Sequence, residues 1–341
     1  MPKVNVPNTI DQISEDWLKT ALDARQFINL SKKRIGQEFG FASEIYHLSW
    51  DEGLNHKSAV IKLWDTKAAG SHEVAFYRSC QLKNCRIPHC FFSQLDENSK
   101  RGVLILEDLS EAEQGDVLKP VSENKAHLLG QNLAGLHAQF MGIERGSSGL
   151  NLWRSSPPSA DWIESRRIRF LERFPDQLKG TSLKLLNQLE FASLNAYQKL
   201  AESPKTLIHG DFHLDNILFL TDQSPVVLDW SKPLIGPLEV NLAAFLFDMV
   251  PKTNFEHVLY IYVEQLNSLG KMAIKKADLI DRLGPALIFK FMEATCGIAQ
   301  WEPSTTRGKK IIQAMIKNAE SSIQFWEKKQ PNCFSFLFSK K

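Results

Sequence analysis

The sequence predicts a mixed α+β protein with its strands early and its helices late, and three observations carry that reading. Between residues 27 and 64, short apolar and alternating runs are punctuated by Gly36, Gly40, Asp51 and Gly53, as in antiparallel strands joined by turns. From residue 254 to 326 the apolar residues recur at helical spacing, first Val258, Tyr260, Ile261 and Val263, then Leu283, Leu287, Ile288, Phe291 and Met292. Between these regions, residues 207–230 run from an apolar lead-in through a polar loop with Asp211 and Asn216 to a second apolar run that ends on Asp229.

In order along the chain, Ser14 can cap a first helix that carries Trp17, Leu18, Ala21 and Leu22 on one face. Runs at 27–30, 44–50 and 58–64 make an antiparallel meander. Gly40-Phe41-Ala42-Ser43, between the first two strands, forms a tight turn whose backbone N–H groups, with the Ser43 hydroxyl, can face phosphate oxygens. A plain hairpin turn would use the same glycine. Lys62 sits on the third strand between Ile61 and Leu63, where a lysine is otherwise a solvated edge residue. Residues 71–78 are helical in pattern, with Glu73 near the start, where a carboxylate suits the helix dipole, and Pro88 closes the element. Runs at 91–95 and 102–106 form a hairpin across Asp96-Glu97-Asn98-Ser99.

Residues 110–121 are polar and irregular. His137, in an amphipathic helix beside Leu133, Leu136 and Phe140, reads as a core histidine satisfied by hydrogen bonds. Residues 155–159 are a surface connection, helices follow at 161–174 and 181–200, and Pro204 returns the chain to the strand-loop-strand stretch.

Composition narrows the partners. At 341 residues, 43% hydrophobic and 23% charged, the chain can build two lobes and a large core. A net charge of +2 supplies no basic stripe, so nucleic acid is not expected, and the basic clusters, Lys32-Lys33-Arg34 among them, read as solvated faces. No apolar run reaches membrane-spanning length and the amino terminus has no signal-like core, which places the protein in the cytoplasm. Five cysteines without Cys-x-x-Cys spacing argue against a zinc site of that type and against a disulfide framework.

The chemistry concentrates at residues 207–230. Two short strands would bring Asp211, Asn216 and Asp229 to one spot, the cluster that phosphoryl transfer needs: a carboxylate for the acceptor's hydroxyl proton, and oxygen ligands for magnesium on the nucleotide phosphates. Asp211 fits the first role, Asn216 and Asp229 the second. His209-Gly210-Asp211, with Asn216 five positions on and then Leu228-Asp229-Trp230, resembles the catalytic and metal-binding loops of the aminoglycoside phosphotransferase and choline kinase-like superfamily. Leu106-Glu107-Asp108-Leu109, Gly115-Asp116 and residues 133–138 look like its bacterial ecdysteroid-kinase-like branch, and the similarity extends from the first helix to about Phe247.

The resemblance implies a bilobal, protein-kinase-like fold with a small antiparallel-sheet lobe over residues 1–109 and a larger, mainly helical lobe over 110–341. It implies that Lys62, in a segment similar to the kinase Val-Ala-Ile-Lys signature, orients the phosphates of ATP, with Glu73 as its partner. Nucleotide contacts fall to Phe41, Ala42, Ser43 and Lys62, and the backbones of Glu107 and Leu109 become the hinge at the adenine edge. ATP and Mg2+ are the implied cofactors. His213 and Asp215 are positional loop residues, and Phe291, Glu293 and Trp301 are candidate walls of the acceptor pocket. One departure is Asn241, where relatives commonly carry an aspartate that braces the catalytic loop; an amide retains only its carbonyl oxygen for that task.

The expected activity is transfer of the γ-phosphoryl group of ATP to a hydroxyl of a small molecule. Asp211→Asn and Asp229→Ala are expected to abolish it, and Glu73→Ala to cost less, because solvent and Lys62 can partly compensate. A regulatory pseudokinase is the alternative from another class, with Asn241 as its foothold against Lys62, Asp211, Asn216 and Asp229. An aminoglycoside-type antibiotic kinase is a further alternative, although acidic residues do not outnumber basic ones in the last third. Protein phosphorylation is disfavoured by the long helical region and the lack of Ala-Pro-Glu soon after Asp229.

Overall fold

The structure is a computed structural model describing residues 5–23, 26–36, 43–64, 69–96, 98–99, 101–143, 150–270 and 272–334. Ser14 caps the first helix, α1 (Glu15–Leu22), by accepting the Trp17 N–H. Then come β1 (Ile28–Ile35), β2 (Glu44–Glu52), β3 (Asn55–Trp64), α2 (Ala69–Ser79), β4 (Cys90–Leu95) and β5 (Gly102–Glu107). These strands form one antiparallel sheet in the order β1-β2-β3-β5-β4, so the expected meander and hairpin are joined through β3 and β5.

β1 runs well past the residues whose pattern announced it. Lys32, Lys33 and Arg34 continue the strand with their side chains in water, and an exposed edge strand has no apolar alternation to read. The α2 helix stops at Ser79 and not at Pro88; the intervening residues cross to β4 as an irregular connection.

β3 sorts its side chains by face. Ala59, Ile61 and Leu63 join Leu18, Ala21, Tyr46, Leu48 and Ile105 in the core under α1. Trp64 packs on the opposite face with Val74, Leu104 and Leu106, under α2. Strand alternation puts Lys62 on this second face, paired in register with Ile45 and Leu104. The lysine is central in the sheet and not at its edge.

The second lobe begins with β6 (Glu113–Gln114), a short strand inside the stretch that reads as irregular, and α3 (Glu123–Phe140), capped by Ser122. It continues through β7 (Asn151–Leu152), α4 (Ala160–Arg173), α5 (Gly180–Asn187), α6 (Leu189–Ala201), β8 (Lys205–Ile208), β9 (Ile217–Phe219), β10 (Pro225–Val227), β11 (Leu234–Pro237) and α7 (Leu238–Ala244). A π-helical turn, Phe245–Met249, leads into α8 (Phe255–Leu269), α9 (Lys276–Gln300) and α10 (Thr306–Lys329). The helix expected at 181–200 is two helices, broken where Gln188 leaves helical geometry at φ −117°.

Two small sheets, β10-β9-β6 and β7-β11-β8, carry the loops that lead to the cleft. The helical core behind them includes Leu129, Leu133, Phe245, Phe255, Tyr262, Leu283 and Trp326. Phe291, expected on a pocket wall, is buried in this core at 1% exposure because its helical stripe faces inward. Phe76 of α2 joins it too and stacks on Trp230, ring centroids 4.1 Å apart and 3° from parallel. Such a pair adds about 0.5–1.5 kcal/mol beyond burial itself, here across the two lobes.

Among the described residues, no helix is long and apolar enough to cross a membrane. All five cysteines are unpaired.

Candidate active site

Lys62 and Glu73 come together because the α2-facing side of β3 leaves the lysine one place to go. Its Nζ lies 2.6 Å from Glu73 Oε2 and 3.2 Å from Asp229 Oδ1. Both members of the Lys62–Glu73 pair are buried, at 6% and 1% exposure, so each would be costly alone. Burial opposes the charge on Lys62, yet Glu73 and Asp229 outweigh it and hold the ammonium above its ordinary range. Loss of water pushes the Glu73 carboxyl up, with Lys62 opposing. The pair reads as ionised, since Lys62 answers two carboxylates and the Trp230 N–H donates to Glu73 Oε1 at 3.2 Å.

Asp229 reaches this spot through its backbone. It follows β10 and takes a left-handed conformation, φ +55°, which aspartate tolerates better than most residues. Burial would raise its carboxyl, but the Lys62 charge and a hydrogen bond from Ser231 keep it below the usual carboxylate range. The β9–β10 pairing and the Leu228 N–H to Asn216 carbonyl bond, 2.8 Å, set Asn216 beside the same segment.

The loop carrying Asp211 is pinned by His209, which is fully buried. Its Nε2 donates to the Leu228 carbonyl at 2.7 Å and its Nδ1 accepts the Asp211 N–H at 3.2 Å. Burial lowers the imidazole's pKa, and this pattern of one donor and one acceptor needs the neutral ring. Gly210 has φ +79°, and a Cβ there would fall 2.1 Å from the Lys232 carbonyl oxygen. A glycine is therefore required by both conformation and space.

Asp211 is partly exposed, and Lys232 Nζ donates to its Oδ2 at 2.8 Å. Burial works against the Lys232 charge, and Asp211 more than compensates, holding the ammonium above its ordinary range. Sequence reading missed Lys232; its position three residues past Asp229 was the available signal. The Asn216 amide nitrogen donates to the Asp211 carbonyl at 3.0 Å and faces His213 Nε2 at 3.1 Å, which leaves the amide oxygen as the atom for a hard cation.

Asp215 braces the loop. It accepts the Val117 N–H at 2.9 Å and two bonds from Arg307 at 2.8 and 2.9 Å, and Arg307 also reaches Asp116 at 3.0 Å. Asn241 is buried, and its amide nitrogen has no hydrogen-bond partner among the described residues. His137 is a core residue as expected, but its hydrogen bonding is only half met: Nδ1 lies 2.7 Å from the Tyr262 hydroxyl, and the buried Nε2 has no partner among the described residues.

Of the remaining sequence candidates, Phe41 and Ala42 lie outside the described residues, and Ser43 directly precedes β2, half-buried. Glu107 turns its carboxylate to Arg86, at 2.6 and 2.7 Å, and its N–H donates to the His89 carbonyl. The Leu109 carbonyl accepts the Ala112 N–H at 3.0 Å. These bonds commit one backbone group on each residue. Glu293 lies within electrostatic reach of Asp211 and Lys232. The residue is exposed, yet loss of water around its carboxyl, opposed by Lys290 and aided by Asp211, pushes it up to about 7. Trp301 is partly buried and gives its carbonyl to Arg173 at 3.0 Å.

A family model described as the phosphotransferase enzyme family matches residues 44–273. No curated protein matches the sequence. Among solved structures, a spectinomycin phosphotransferase in complex with ADP and spectinomycin aligns with TM-score 0.57 at 16% identity, covering 93% of this chain and 99% of that one. A microcompartment-associated aminopropanol kinase aligns with TM-score 0.58 at 14% identity, over 94% and 98% of the two chains. A choline kinase from Cryptosporidium parvum aligns with TM-score 0.57 at 12% identity, over 91% and 94%. At such identities the likeness is one of fold, and the fold is the bilobal, protein-kinase-like one.

Proposed function

Because the chain belongs to the phosphotransferase enzyme family, we propose that it transfers the γ-phosphoryl group of ATP to a hydroxyl of a small molecule. The observation that carries this is the convergence of Lys62 on both Glu73 and Asp229, beside the loop that holds Asp211 and Asn216. Residues 1–109 form the nucleotide lobe in this reading and 110–341 the acceptor lobe.

The adenine edge meets the Glu107 carbonyl and the Leu109 N–H. Ser43 and the Lys62 ammonium receive the phosphates. Asp229 and the Asn216 amide oxygen fit a magnesium ion by donor type, hard oxygens on a braced loop, and the bound ion would neutralise phosphate charge. Asp211 orients the acceptor hydroxyl and takes its proton as the new oxygen–phosphorus bond forms. The bond from the γ-phosphorus to the bridging oxygen breaks, and ADP leaves. A general base of this kind contributes roughly 10²- to 10⁴-fold, so positioning and charge carry most of the rest. Lys232, on Asp211, adds a positive charge where the transferring group carries negative charge.

The pseudokinase reading loses ground because Lys62 meets Asp229, Asn216 bonds the Asp211 backbone, and His209 holds that loop with two hydrogen bonds. An amino-sugar acceptor is the second reading, supported by Glu293, an acidic side chain within electrostatic reach of Asp211. Unpaired cysteines and the use of ATP fit a cytoplasmic setting.

The test is a panel of metabolite alcohols, amino alcohols and amino sugars, with ADP release and label transfer from γ-labelled ATP followed together. One class of acceptor should stimulate ADP release and carry the label, and Asp211→Asn should remove both. Nucleotide binding without transfer to any member would favour the regulatory reading.

A further inference from the structure

A second cluster of ligand-bearing side chains lies where α3 begins, on elements that carry none of the candidate active-site residues. Glu123 and His127 are one helical turn apart, so the helix repeat sets them on one face, and α8 packs along α3 to bring His257 to the same spot. His127 Nε2 lies 3.6 Å and His257 Nδ1 3.5 Å from Glu123 Oε1. One ligand atom from each of the three lies within 4.8 Å of the other two. The rings stand 4.5 Å apart at 69°.

The spacing is what distinguishes this group from a hydrogen-bonded surface cluster. Neither nitrogen is at ordinary hydrogen-bond distance from the carboxylate. His127 Nε2 is buried and has no hydrogen-bond partner, although a carboxylate oxygen is its neighbour. Ligand atoms about 3.5 Å apart are the edges of a tetrahedron with bonds of about 2.0–2.2 Å to its centre.

We propose that Glu123, His127 and His257 form a binding site for one divalent transition-metal ion of the zinc class, which clamps the start of α3 to α8. Two imidazoles and one carboxylate suit zinc, whereas magnesium takes oxygen ligands and keeps its waters. Glu123 and His257 are each 57% exposed, so an ion can enter from solvent and complete its shell with water. The partial positive charge at the α3 amino terminus works against a cation, and the Glu123 carboxylate offsets it. Binding joins two helices distant in sequence, so the ion acts on stability and not on the transfer step.

The test titrates zinc chloride against the full chain, free of nucleotide and magnesium, by competition with a chromophoric chelator, with thermal unfolding followed in parallel. One equivalent should bind and raise Tm. Cobalt(II) in its place should give tetrahedral d–d absorption without thiolate charge-transfer bands, which separates the site from the cysteines. His257→Ala, at an exposed position, should fold normally, weaken zinc binding by at least about tenfold, and leave nucleotide affinity unchanged; loss of an outer partner alone already costs that much at metal sites. A wild-type chain that takes up no zinc, or zinc affinity and stabilisation that survive both His257→Ala and His127→Ala, overturns the proposal. Its failure leaves the phosphotransferase reading untouched, since that reading is tested by label transfer.

Discussion

Lys232 sets its ammonium 2.8 Å from a carboxylate oxygen of Asp211, 21 residues away along the chain. The contact keeps a positive charge beside the group proposed to receive the acceptor proton. Lys232→Met should lower kcat by about 10²-fold, the usual effect of removing one charge-stabilising donor, and Lys232→Arg should retain more. Steady-state kinetics with the acceptor returned by the panel measures both.

Glu73 does more than aim Lys62. It is 1% exposed, so solvent cannot replace it, and its second oxygen receives the Trp230 N–H. Beside the smaller loss of rate expected of Glu73→Ala, the fold itself should be destabilised: removing one partner of a buried pair costs about 3–5 kcal/mol, with Asp229 holding the loss toward the lower end. Urea unfolding of Glu73→Ala beside Glu73→Gln, which keeps an acceptor for Trp230, should show the larger loss in the alanine variant.

Asp211→Asn and Asp229→Ala should each reduce transfer by about 10³-fold or more. They should differ in nucleotide binding. Wild type and Asp211→Asn should bind ATP more weakly once EDTA removes magnesium, whereas Asp229→Ala should bind equally poorly with and without the metal. Fluorescent-nucleotide titration separates the two.

Gly210→Ala forces a side chain into a left-handed residue and to within 2.1 Å of the Lys232 carbonyl. Backbone strain alone costs about 1–2 kcal/mol. Because the displaced neighbour is Lys232, kcat should fall along with Tm, as in the Lys232 variant. A drop in Tm with kcat retained would show that the contact does not position the lysine.

His137 should make stability depend on pH. Burial lowers its pKa from 6.5 to about 3, so between those values the unfolded chain binds a proton that the folded chain refuses. Its contribution is intact above pH 6.5 and is lost as the pH falls, at about 1.4 kcal/mol per pH unit. His137→Gln, which can still accept from Tyr262, should flatten this slope in urea midpoints measured from neutral pH to about pH 4.5.

Much of the candidate site was legible because phosphoryl transfer restricts residue type and local spacing at once. Asp211, Asn216 and Asp229 lie within 19 residues of one another, in the loops flanking two short paired strands, so their order along the chain nearly dictates their proximity. Lys62 was legible from its strand, though alternation of faces had to decide that it points at α2 and not at α1. By contrast, β1 beyond Leu30 and β6 inside 110–121 were invisible, since edge and two-residue strands bury too little to leave an apolar pattern.

The chain by itself determined the fold class and the identity of the charged groups, because apolar periodicity and side-chain chemistry are local properties. Folding decided what those groups meet: Lys232 on Asp211, Arg307 on Asp116 and Asp215, Trp230 against Phe76, and His257 beside Glu123 and His127. Each of those meetings joins residues on separate elements, and their distances follow from how helices and sheets pack, a cooperative outcome of burying the whole core that no short stretch of sequence contains.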